Sequence, residues 1–165
     1  MKKLISILLI TILFACEGPQ GAPGPPGADG GLIVSSAFEI EINFNETNNY
    51  EYFESYGFDV YPFDVVMVYI LWDRDENIWR ALPQTIFFQE GSLIYNFDFT
   101  QEDVRFFLDG NIDFSLLGGE WTQNQVFRVV VIPADNVDSV NLNDYNNVIE
   151  TLNIKAFNSH NLNTF

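Results

Sequence analysis

Cysteine and histidine each occur once in the 165 residues, at Cys16 and His160. A single cysteine leaves no partner for a disulfide within the chain. A single histidine gives Ser-His or Cys-His nucleophilic pairs and multi-histidine zinc sites almost no material. His160, near a polar C-terminus, is expected as an exposed tail residue. Lysine and arginine total 7 against 23 aspartates and glutamates, a formal net charge of −16. That excludes nucleic acid as a favourable partner, because binding to phosphate backbones depends on clustered Lys and Arg. The acids are scattered through apolar segments rather than gathered in blocks, so they are expected as a solvated surface. A phosphate-binding glycine loop is lacking too: Gly118-Gly119 has no Lys and Ser/Thr after it and is expected in a plain loop.

What is present begins with Lys2 and Lys3, followed by the apolar run Leu4 to Phe14, broken only by Ser6 and Thr11. A basic start, a short apolar segment and a small residue before a cleavage point read as a secretory signal, and the run falls short of the roughly 20 apolar residues that span a bilayer. Leu13-Phe14-Ala15-Cys16 resembles the lipobox of bacterial lipoproteins, with Phe14 in place of the usual smaller residue. The other reading is an ordinary signal peptide followed by a free thiol, which in an oxidising compartment would invite dimerisation or oxidation. Lipidation is favoured: residues 1–15 form the signal, and Cys16 becomes the lipid attachment site, held in the membrane by its acyl chains. Removing 15 of 165 residues leaves 150, and the loss of Lys2 and Lys3 changes the charge to 5 minus 23, or −18.

Behind the cysteine stand Gly18, Gly21, Gly24, Gly27 and Gly30, with Pro19, Pro23, Pro25 and Pro26 between them. The triplets follow the Gly-X-Y rule, in which only glycine fits the axis of three wound polyproline II strands. At ~3.1 Å per residue, this stretch extends about 40 Å. Residues 16–31 are therefore expected as a semi-rigid tether, with a collagen-like homotrimer as the alternative.

From Leu32 the composition turns to aromatic and β-branched residues, so 32–165 is expected as one β-rich globular domain. Phe38, Ile40, Ile42 and Phe44 alternate with Glu39, Glu41 and Asn43, which predicts a strand with one buried and one wet face. "ETNNYEYFESYG" predicts a loop and an edge strand, Asp64 to Asp73 a central covered strand, and "QVFRVVVIP" a strong strand ended by Pro133. Gln89 to Ser92 predicts the turn of a hairpin between Thr85–Phe88 and Leu93–Phe99. Thr100 three residues before Asp103 resembles a capping box and predicts one or two helical turns through Leu108. Tyr145, Val148, Ile149 and Leu152 at helical spacing predict a short amphipathic helix. The sum is a mainly β fold, closest to an antiparallel β-sandwich with one or two short helices.

Chemistry has few candidates. Asp73, Asp75 and Asn77 match the first half of a calcium loop, but Ile78 and Gln84 stand where glycine and a bidentate glutamate are needed, so a polar turn is expected and no metal. Asp109 with Asp113, and Asp135 with Asp138, are carboxylate pairs of the kind glycoside hydrolysis uses, yet acids this numerous pair by chance. Trp72, Trp79 and Trp121 offer a sugar-stacking platform if exposed and coplanar, and core rings otherwise.

The lipobox, the Gly-X-Y stem and the phrases "LPQTIFF", "LIYNFDFT" and "WTQNQVFRVVVIPAD" resemble a family of uncharacterised bacterial collagen-like lipoproteins. The resemblance implies a lipid-anchored place in the cell envelope, at the outer membrane or cell surface, and brings no activity, cofactor or catalytic residue. The leading expectation is a non-enzymatic structural or interaction module that reaches the membrane through its anchor and meets an envelope protein or glycan. A ligand-binding head for glycan or divalent cation is second, and a trimeric stalk or adhesin and a hydrolase are weaker.

Overall fold

The structure is a computed structural model and describes residues 36–160. The signal, Cys16, the glycines of the stem and the start of the domain lie outside the described residues.

The chain forms two sheets packed face to face. Sheet A has the order β4 (Ile78–Ala81), β3 (Val65–Asp73), β8 (Gln125–Ile132), β1 (Ser36–Ile42), β9 (Asn158–His160). Sheet B has the order β2 (Glu51–Ser55), β7 (Asp103–Gly110), β6 (Ser92–Phe99), β5 (Gln84–Phe87). All pairings are antiparallel except β1 with β9, which is parallel. Two short α-helices stand among the described residues, α1 (Gly119–Thr122) and α2 (Tyr145–Thr151). None of these helices is long and apolar enough to cross a membrane.

Alternation decides which residues meet between the sheets. Phe38, Ile40 and Ile42 of β1, Val66, Val68 and Ile70 of β3, and Phe127, Val129 and Val131 of β8 face Leu93 and Tyr95 of β6 and Val104, Phe106 and Leu108 of β7. Phe106 and Val129 are fully buried. Truncating one such aromatic ring costs about 3–5 kcal/mol, against about 0–1 kcal/mol for an exposed ion pair, so this layer rather than surface charge holds the sheets together.

The far side of sheet A is not wet, as the alternation in β1 predicted, but covered. Ala37, Tyr69, Val130 and Ile132 form a second core with Val140, Val148 and Leu152 of the C-terminal segment. That segment folds back because α2 carries an apolar stripe and begins at Asp144, whose carboxylate accepts the backbone N–H groups of Asn146 and Asn147. Glu41, expected on a wet face, is buried.

A second correction concerns Thr100 and Asp103. They close the β6–β7 hairpin rather than start a helix: the Asp103 N–H donates to Thr100 Oγ1 at 3.1 Å, and the Thr100 hydroxyl donates to Asp103 Oδ1 at 2.7 Å. Val104, Phe106 and Leu108 then alternate into the core as β7. The predicted edge strand, central strand, hairpin and terminal helix are present as β2, β3, β5–β6 and α2.

Candidate functional site

Registers fix two poles of the sandwich. Ser36 pairs with Val131 at one end of β1, and Ile42 pairs with Gln125 at the other. A cleft of about 690 Å³ opens at the second pole, between the end of β3, the turn after it, Tyr95 of β6 and the segment from Gly119 to Gln125. Its volume falls in the range of small-molecule sites.

Two of the three tryptophans line this cleft. Trp72, at the end of β3, carries the Arg80 guanidinium 4.0 Å above its ring. Trp121, in α1, packs edge-on against Phe88 with ring centroids 5.4 Å apart. A smaller cleft of about 320 Å³ shares Trp121 and Glu120 with the first, so these two residues border open space on two sides.

The segment that carries Trp121 is held by polar groups from several elements. The buried Tyr95 hydroxyl donates to the Trp121 carbonyl at 2.6 Å, and burial, then the Glu120 carboxylate, push its pKa up. Gln125 Nε2 donates to the carbonyls of Glu120 and Gln123 at 3.0 and 2.7 Å. Gln123 Nε2 donates to the Phe44 carbonyl at 3.2 Å, and the Asn124 N–H donates to Asn43 Oδ1 at 2.6 Å. Asn124 sits at φ 53°, a left-handed conformation that asparagine tolerates better than most residues.

Arg74 forms part of the wall and donates from its guanidinium to the Asn124 carbonyl. It also lies 3.7 Å from Glu41, whose side chain is 2% exposed and whose two oxygens have no hydrogen-bond partner. A buried carboxylate costs several kcal/mol unless a cation compensates it. The pair lacks a hydrogen bond, so its contribution is the field that draws Arg74 to the cleft wall rather than tight binding.

A third depression, of about 400 Å³, surrounds Arg128 on the outer face of sheet A. The guanidinium lies 3.9 Å from the Trp79 ring and 4.3 Å from the Phe157 ring, donates to Glu39 Oε2 at 2.8 Å, and donates to the Tyr145 hydroxyl. With both ring faces and its carboxylate in place, it serves as a fastener for the C-terminal layer.

The other candidates from sequence are spread apart. Asp73 Oδ1 accepts the N–H groups of Asp75 and Glu76, and Asn77 takes φ 51°, so this stretch is a polar turn between β3 and β4. Asp109 accepts from the Gly110 N–H, while Asp113 caps a 3-10 turn and is held below the usual carboxylate range by the Ser115 hydroxyl and N–H. Asp135 and Asp138 sit exposed in another 3-10 segment. Among the described residues no group of three or more His, Cys, Asp and Glu is placed to hold a metal ion. The tryptophans are partly buried and are divided between two places: Trp72 and Trp121 line one cleft, and Trp79 stacks on Tyr145. Gly119 opens α1 rather than lying in a loop.

His160 departs from expectation as well. It ends β9, stacks on Phe38 at 4.4 Å, and its Nδ1 lies 2.6 Å from Glu54 Oε1 of β2. A strand of sheet A thus reaches sheet B at the sandwich edge. Sequence reasoning missed this, and missed Arg74 and Tyr95 at the cleft and Glu41 beside Arg74; the one signal available was a tyrosine on the apolar face of β6.

Fold and geometry together define a class, a two-sheet antiparallel β-sandwich with an aromatic and polar cleft at one pole. No family model, characterised protein or solved structure matches the chain.

Proposed function

We propose that the chain is a lipid-anchored envelope protein of the collagen-like lipoprotein kind, whose sandwich is a non-catalytic interaction head that meets its partner through the cleft. One observation carries this reading. Ser36, the first described residue of the sandwich, and the cleft lie at opposite ends of β1 and β8. Seven strand residues separate them, roughly 20 Å at about 3.3 Å per residue. A body tethered at one pole presents the other outward. The Gly-X-Y stretch supports the same reading, since an extended spacer has a purpose when the binding surface must stand clear of a membrane.

The test uses the full chain in its native envelope. A photo-crosslinking residue at Asn124, on the cleft, should capture a partner, and one at Ala134, exposed near the opposite pole, should not. Cys16→Ser should release the protein from the membrane and abolish the adduct. Equal capture at both positions, or membrane retention of Cys16→Ser, would sink the proposal.

A further inference from the structure

We infer that the cleft between Trp72 and Trp121 binds a neutral oligosaccharide. The inference rests on the proposed interaction head and names the chemistry of what it meets. Charge is the first ground. The cleft wall carries one cation, Arg74, and one acid, Glu120; Arg74 already faces the buried Glu41, and a second cation beside the cleft, Arg80, is laid over the Trp72 ring. A chain with formal charge −16 repels anions at long range, and the single acid at the cleft gives a cationic ligand little to pair with.

Shape is the second ground. An indole offers a flat, apolar, electronegative face, and the C–H face of a pyranose ring is apolar and slightly electropositive, so the two stack. The wall also includes Asn124, whose side-chain amide both donates and accepts, and Gln123, whose Oε1 accepts while its Nε2 is bound to Phe44. Sugar hydroxyls likewise donate and accept. The segment from Gly119 to Gln125 is already fixed by Tyr95, Gln125 and Asn43, so little ordering cost falls on binding.

Length follows from Trp121. Because this residue and Glu120 border both the 690 Å³ cleft and the 320 Å³ cleft, a saccharide seated in the first continues past the indole toward the second. That favours a chain of sugars over a single ring.

The experiment titrates the full chain, solubilised in a sugar-free amine-oxide detergent, with chitotriose, cellotriose, maltotriose and trigalacturonate. Intrinsic tryptophan fluorescence and saturation-transfer NMR report binding. At least one neutral trisaccharide should give a saturable change, with trigalacturonate much weaker. Trp121→Leu should weaken binding about tenfold or more, in line with loss of a central aromatic anchor. Asn124→Gly, which suits the left-handed backbone and removes only a side chain, should weaken it several-fold. Phe87→Ala, at an exposed ring on sheet B, should leave it unchanged. The inference fails if no neutral trisaccharide binds at millimolar concentration, if trigalacturonate binds as well, or if binding survives both cleft variants. Should the saccharides fail while the Asn124 crosslinker still captures a protein, only the saccharide chemistry is lost; should both fail, the interaction head is lost with it.

Discussion

Arg128 and Glu39 face each other across β8 and β1 in direct register, with Nε and Oε2 2.8 Å apart, and both side chains are about four-fifths buried. The guanidinium fills the space between Trp79 and Phe157 at the same time. One side chain therefore ties sheet A to the C-terminal segment through charge and through stacking.

Arg128→Ala should destabilise the domain by about 3 kcal/mol, because it leaves Glu39 with its buried charge uncompensated. Arg128→Lys should lose about 1–2 kcal/mol, since an ammonium keeps the charge but not the planar stacking surface or the fork. Chemical denaturation of the two variants checks the order, and a lysine variant as unstable as the alanine one would mean that stacking dominates over charge.

Tyr69 makes a prediction about alkaline pH. Its hydroxyl is buried without a hydrogen-bond partner, and burial, with Tyr145 and Asp144 nearby, pushes its pKa up from 10.0 to about 12. The folded state holds this proton more tightly than the unfolded chain. Its contribution is therefore complete below about pH 10 and is lost as pH rises through 12. Tyr69→Phe should gain about 1 kcal/mol at neutral pH by removing an unsatisfied hydroxyl, and should lose less stability on the alkaline side. Thermal melts at neutral and alkaline pH measure both; a variant less stable at neutral pH would show that the hydroxyl is satisfied.

Two glycines separate backbone strain from steric exclusion. Gly57 has φ +72° and open space where a Cβ would stand, whereas a Cβ at Gly110, φ +130°, would meet the Ser92 carbonyl oxygen at 2.1 Å. Gly57→Ala should cost about 1–2 kcal/mol, the strain of the left-handed region alone. Gly110→Ala should cost clearly more, because β6 must move away from the end of β7. Equal melting temperatures for the two variants would count against this account of the hairpin end.

The sheets were legible in the sequence because period-two alternation survives in β1 and β6, and because β3 and β8 read as apolar runs covered on both faces. Asp103 to Leu108 misled because the same Thr-x-x-Asp pair serves a helix start and a hairpin turn, and Phe107 beside Phe106 blurs the alternation that tells them apart. Glu41 and His160 misled for a different reason. A strand's pattern shows which residues share a face, not whether a distant segment will return to cover it, and here residues 140–160 do so. The cleft was legible only in part. Trp72 and Trp121 stood out as residues, but the register of β3 with β8 brings their surroundings together, and that register is a property of the folded sheet.

The antiparallel register of β1 with β8 also sets how the sandwich bears load. Force applied at Ser36 and at Gln125 pulls the two strands along their axes in opposite senses. The ladder bonds lie across that line of force, so the seven paired positions from Ser36–Val131 to Ile42–Gln125 are sheared together instead of being unzipped one after another. Tension between the two poles is thereby shared along the whole strand, in the direction in which a sheet is mechanically strongest.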